Sequence, residues 1–180
     1  MINVHGGGNH ANKNGVHFEQ DTSLPEALKN LNITLIKNNK IKSKLPAYDI
    51  YQDGVQIGMA TRGARMYNDI FEPHNVDYKE HISQKLCPDD VFMDMRHNTV
   101  FIIEKKFQSR AGSVDEKLQT CDFKKKQYEK LFGLIGYEVK YIYVFNDWFK
   151  QERYKDVLEY IIASGCYYFF NEIPVSFLGL

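Results

Sequence analysis

The sequence predicts a mixed α/β domain of the α+β kind, built on a mixed central sheet flanked by helices. Three observations carry that expectation. Short runs rich in Val, Ile, Tyr and Phe recur along the chain, as strands require. Between them lie stretches whose apolar residues fall three and four apart, as on one helix face. The order of these runs is α, β-hairpin, ββ, α, β, α, β, which suits a mixed central sheet.

From His17 onward, Phe18, Leu24, Leu28 and Leu31 mark an apolar helical face, with Pro25 suited to the start of a second short helix. Ile33–Ile36 reads as a short strand. Tyr48–Ile50 and Val55–Met59 alternate about Asp53-Gly54, a pair that favours a two-residue hairpin turn. Arg62–Lys85 is polar and mixed, with room for two short helices. Val91–Met93 is a strand, and Val100–Ile103 is another, carried on through Glu104 and Lys106. Asp94–Asn98 is the turn between them, so the two pair antiparallel. Ser113 and Glu116 make a capping box that opens a helix. Leu118, Cys121, Tyr128, Leu131, Phe132 and Ile135 carry that helix on to Gly136. Val139–Phe145 is a strand, Trp148–Ala163 a helix and Cys166–Phe170 a last strand. The aromatic residues of these strands, Tyr141, Tyr143, Phe145 and Tyr167–Phe170, are expected in the core.

With 180 residues the chain suits one domain over its whole length, able to bury a core without staples. A content of 43% hydrophobic and 14% aromatic residues excludes a disordered chain. Basic and acidic residues balance at 23 each, so the basic excess of most nucleic-acid binders is missing. Carboxylates clustered around a metal can offset a basic face elsewhere. Cys87, Cys121 and Cys166 are scattered and match no zinc spacing, which suits ordinary thiols in a reducing compartment. His5, His10 and His17 match no zinc pattern either, and the polar N-terminal stretch suits contact with DNA or a partner. The run His5-Gly-Gly-Gly-Asn9 lacks the Lys-Ser/Thr of a phosphate-binding loop, so no nucleotide cofactor is expected. No secretory signal is visible. The longest apolar stretch, Val157–Phe170, is interrupted by Glu159 and is too short to span a bilayer. A cytoplasmic protein with no membrane partner is expected.

Chemistry concentrates at the end of the strand that starts at Val100. Alternate side chains share a face, so Glu104 and Lys106 point one way while Ile103, Lys105 and Phe107 point the other. An apolar strand that ends in Glu-Lys-Lys is costly unless the charges leave the core at a site. The hairpin brings Asp89 or Asp90 across from Glu104, and a one-residue change of register exchanges the two. Two such carboxylates repel unless a divalent cation lies between them, and a lysine one pleat away then faces water or phosphate.

The string Pro88-Asp89-Asp90 followed by Val100-Phe-Ile-Ile-Glu104-Lys-Lys106 resembles the PD-(D/E)xK nucleases, in particular type II restriction endonucleases. Ser83-Gln-Lys-Leu-Cys-Pro-Asp89, Gln108, Gly112-Ser-Val-Asp-Glu-Lys-Leu118 and the early Gly15-x-x-Phe18-Glu19 are similar to members of that superfamily. The resemblance runs roughly from Asn9 to Leu180. It implies a restriction-endonuclease-like αβββαβ core and Mg²⁺-dependent hydrolysis of phosphodiester bonds in double-stranded DNA, with Mn²⁺ as a substitute.

By that resemblance Asp89 and Glu104 bind the metal, Lys106 orients the attacking water and steadies the phosphate, and Glu19 reaches the metal or its waters from the first helix. Gln108, Arg110, Ser113 and Lys117 are the expected DNA contacts. Arg62, Arg65 and Arg96 join Arg110 as candidates for reading base edges. Lys124-Lys125-Lys126, with Lys117 and Lys130, is either a solvated helix face paired with Asp122 and Glu129 or a phosphate-contacting row. Residues 33–83 are the candidate recognition segment. A two-fold symmetric target suits a homodimer, and a partner subunit or a monomer that nicks the two strands in turn are the other arrangements. The alternatives are a structure-selective repair or phage-processing nuclease, and a non-catalytic DNA-binding subunit.

Overall fold

Strand-forming runs with alternating burial assemble into one sheet in the computed structural model, which describes Leu24, Leu28 and residues 33–110 and 114–180. The strands are β1 (Thr34–Lys37), β2 (Tyr48–Gln52), β3 (Val55–Thr61), β4 (Asp90–Asp94), β5 (Thr99–Lys106), β6 (Glu138–Phe145) and β7 (Tyr167–Phe170). They lie side by side in chain order. β1 to β5 pair antiparallel, and β5, β6 and β7 pair parallel. The domain is thus mixed α/β with a mixed seven-stranded sheet, as expected. The turn Asp53-Gly54 has both residues at positive φ (51° and 79°), which matches the right-handed twist of the flanking strands. Residues 33–83 supply the first three strands of this sheet, with a bulge between Ile50 and Tyr51.

Each face of the sheet buries its own cluster. One face packs Val91, Met93, Val100, Ile102, Tyr141 and Tyr143 beneath the helices α2 (Cys121–Phe132) and α3 (Lys155–Ala163) and the π-helical turn Tyr67–Phe71. The other packs Phe92, Phe101, Ile103 and Val144 beneath helical Leu24 and Leu28 and the C-terminal 3-10 turn that holds Leu178. The notion of core strand aromatics holds in full for Tyr141, Tyr143 and Phe145, whereas Tyr167–Phe170 are half-buried because β7 is an edge strand.

Three helical expectations need correction. The helix expected to run from Ser113 to Gly136 is two helices, α1 (Val114–Leu118) and α2, parted at Gln119-Thr120. The Thr120 hydroxyl takes the Lys117 carbonyl at 2.7 Å, and the Tyr143 hydroxyl lies 3.4 and 3.5 Å from the carbonyls of Lys117 and Leu118. Side chains thus claim acceptors that a continuous helix would use, which favours a break there. Ser113, its expected cap, lies outside the described residues. The expected helix Trp148–Ala163 begins as 3-10 turns at Asp147–Lys150 and Glu152–Tyr154 and becomes α-helical only at Lys155. In Arg62–Lys85 the expected short helices are one π-helical turn and two 3-10 turns.

Candidate active site

The register of β4 against β5 builds the site. Asp90 faces Ile103 across the ladder, so the preceding residue, Asp89, comes opposite Glu104. Side chains alternate, and Asp89 therefore shares the face of Val91 and Met93, as do Glu104 and Lys106. Asp90 lies on the other face with Phe92. There the Lys105 ammonium donates to Asp90 Oδ2, and Arg62 Nε lies 4.0 Å from Asp90 Oδ1. The two aspartates that the sequence left interchangeable thus have different surroundings: Asp89 meets Glu104 and Lys106, and Asp90 meets buried Lys105.

Lys106 Nζ lies 2.7 Å from Glu104 Oε2 and 3.9 Å from Asp89 Oδ2, so one ammonium serves both carboxylates. The Lys105 backbone N–H donates to Asp89 Oδ2 at 2.6 Å. On the far side of Glu104, Lys124 Nζ from the first turn of α2 donates to Oε1 at 3.2 Å. Glu104, whose side chain is only 9% exposed, is thus held between two lysines. Burial pushes the Asp89 carboxyl above its ordinary value; Lys106 and the Lys105 N–H pull it back in part, and the Glu104 charge raises it further. A carboxylate kept in a place that disfavours its charge, beside a second carboxylate and a lysine, is a candidate functional position.

Behind Glu104 stands a wall of phenols. Tyr143 is its register partner in β6, and Tyr128 and Tyr141 lie fully buried alongside. Burial, reinforced by the Glu104 charge, raises all three phenols, so each stays neutral. A buried, uncharged backing strengthens the ionic contacts in front of it. The exit of β5 is fixed by a reciprocal pair: the Gln108 N–H donates to Asn146 Oδ1 at 3.2 Å, and Asn146 Nδ2 donates to the Gln108 carbonyl at 2.8 Å.

Of the expected DNA contacts, Arg110 and Lys117 are exposed. Gln108 is turned inward at 6% exposure, with neither side-chain amide atom hydrogen-bonded. Glu19 and Ser113 lie outside the described residues. Burial removes Arg65 from the base-reading candidates: its guanidinium binds Asp69 and the carbonyls of Leu45 and Asn38 at 2.6–2.7 Å. Arg96 is engaged at the opposite end of the β4–β5 hairpin, with Asp94 and the Gly179 carbonyl. Two site residues were not assigned from sequence. Lys124 sat in a basic run with no sign of which lysine turns inward, and Asn146 had no signal beyond its place after a strand.

Among the described residues no three His, Cys, Asp or Glu side chains stand together as a metal cage. Asp89 and Glu104 offer two hard oxygen ligands, the donor type that Mg²⁺ and Mn²⁺ accept, and Mg²⁺ is commonly held by one or two carboxylates with waters and phosphate oxygens completing its shell. The pair fits such an ion. No protein-family model, curated protein or solved structure matches the chain.

Proposed function

We propose that this protein is a Mg²⁺-dependent DNA endonuclease of the type II restriction kind, hydrolysing phosphodiester bonds in double-stranded DNA. The observation that carries the reading is the convergence of Asp89, Glu104 and Lys106 on one face at the end of β5, with Asp90 and Lys105 turned to the other face. Asp89 and Glu104 would hold the divalent cation, with Glu19 as the third carboxylate and Mn²⁺ as a substitute. When bound, such an ion supplies Lewis acidity at the phosphoryl oxygen and eases deprotonation of the attacking water.

The chain's own groups do the rest. The ammonium of Lys106 lies where it can orient that water and stabilise charge growing on the phosphate oxygens. The Gln108–Asn146 clamp holds the strand end that presents Lys106. The neutral tyrosine wall keeps water from the back of Glu104. Arg110 and Lys117, both exposed, would contact the DNA backbone, and residues 33–83 would contribute to sequence recognition. A homodimer matches a two-fold symmetric target, with a partner subunit or a sequentially nicking monomer as the other arrangements. Among the described residues no helix is long and apolar enough to cross a membrane, and a cytoplasmic setting suits the reading.

Purified protein incubated with long unmethylated DNA should give discrete fragments with Mg²⁺ and none with EDTA. Glu104→Ala should slow cleavage by about a hundredfold or more, since it removes a ligand worth several kcal/mol to the transition state. Smears or cleavage confined to branched DNA would redirect the reading to a repair or phage-processing nuclease. Intact DNA with both Mg²⁺ and Mn²⁺ would leave a DNA-binding subunit.

A further inference from the structure

Glu104 has both carboxylate oxygens engaged by ammonium groups, Oε2 by Lys106 and Oε1 by Lys124. A divalent cation approaching Asp89 and Glu104 therefore meets two positive charges already in place, and one must give way. The two lysines are not equally held. Lys106 touches Asp89, Glu104 and the Lys105 carbonyl (3.2 Å), and it sits 6.0 Å from the centre of the Tyr143 ring. The Lys124 ammonium contacts Glu104 alone among the described residues, is the more exposed of the two, and hangs from a helix on a long flexible stem.

We propose that Lys124 is a counter-ion that exchanges partners. In the free protein it neutralises Glu104. When a divalent cation binds, it yields that carboxylate and carries its charge to a phosphate oxygen of the DNA strand held at the same site. This proposal rests on the nuclease reading and deepens it: the anion beside Glu104 that receives the released ammonium is a phosphodiester oxygen of the DNA. Lys124 is on this view both a competitor of the cation and a partner of the substrate, two roles that a purely structural lysine would not combine.

The signs of the effects follow. Lys124→Met should bind Mg²⁺ about fivefold more tightly than the natural protein without DNA, because one competing ion pair is gone. The same variant should bind a labelled random-sequence duplex more weakly in Ca²⁺. Its slope of log affinity against log salt should be shallower by about 0.9, the loss of one phosphate contact. Lys124→Gln is the second variant, and melting curves serve to check that each variant is folded. Lys126→Met removes the same charge two residues on, about 200° around the helix and paired there with Asp122, and should leave Mg²⁺ affinity unchanged. Calorimetry with Mg²⁺ alone reads the first effect and anisotropy the second. Unchanged or weaker Mg²⁺ binding in Lys124→Met and Lys124→Gln, with the natural protein binding Mg²⁺ and cutting DNA, overturns the proposal. An unchanged salt slope overturns its phosphate half. A natural protein that neither binds Mg²⁺ nor cuts DNA overturns the nuclease reading beneath it.

Discussion

Asp89 and Asp90 are neighbours in sequence with opposite physical situations. Asp89 is partly buried with its carboxyl raised, so its charge costs stability in the absence of a cation. Asp89→Asn keeps an oxygen for the Lys105 N–H and should stabilise the metal-free protein by about 1 kcal/mol, a rise of about 2–4 °C in melting temperature for a domain of this size. The same change should abolish cleavage. Asp90→Ala should do the reverse. It removes the carboxylate that the buried Lys105 ammonium faces, at a cost of about 3 kcal/mol in urea unfolding, while the site face keeps its groups. If Asp89→Asn destabilises the metal-free protein, the assignment of the two aspartates to function and structure is wrong.

The β4–β5 hairpin carries the site at one end and a structural lock at the other. At the lock, burial alone would raise the Asp94 carboxyl, but hydrogen bonds from His97 and Arg96 outweigh it and hold it below its ordinary value. A depressed carboxylate contributes stability that is present above its ordinary value near 3.8 and is lost as pH falls through the lower folded value. The gap in melting temperature between the natural protein and Asp94→Asn should therefore be full at neutral pH and close below about pH 4. Beside Asp94 in the sheet, Gly58 has no room for a side chain, since a Cβ there would run into the Met93 carbonyl and 2.8 Å from Phe92 Cε2. Gly58→Ala should cost about 2 kcal/mol in chemical denaturation, the usual penalty for overpacking.

These strands were legible in the sequence because alternation and turn chemistry are local properties. Asp89, Glu104 and Lys106 could be grouped for the same reason: one hairpin holds them all. Which aspartate shared their face was not legible, because a single-residue shift exchanges the two. Lys124 and Asn146 come from 20 and 38 residues beyond their partners. Their arrival depends on packing, and for Lys124 on the break at Thr120, which Tyr143 helps to set from a strand that follows it in the chain.

At the scale of the whole molecule, the two clusters make the sheet a shared floor, and the C-terminal turn closes the second of them. Leu178 is buried there, and the Gly179 carbonyl accepts from Arg96 at 2.8 Å. Deleting residues 175–180 should cost at least about 3 kcal/mol, the scale of losing one buried leucine with its neighbours. Cleavage should survive at low temperature, because the tail meets the hairpin at the end away from Glu104.

The order of the sheet has a further consequence, for how the chain is made. Every strand lies beside the strand made just before it, so no strand must insert between two that are already paired. A nascent chain leaving the ribosome can add strands one at a time, each to the edge of the sheet already formed. Asp89, Glu104 and Lys106 would meet while α2 and β6 are still unmade, and Lys124 would join them only after the helix that bears it has docked. The acidic half of the site is thus assembled first, with Lys106 as its companion, and its second counter-charge arrives last.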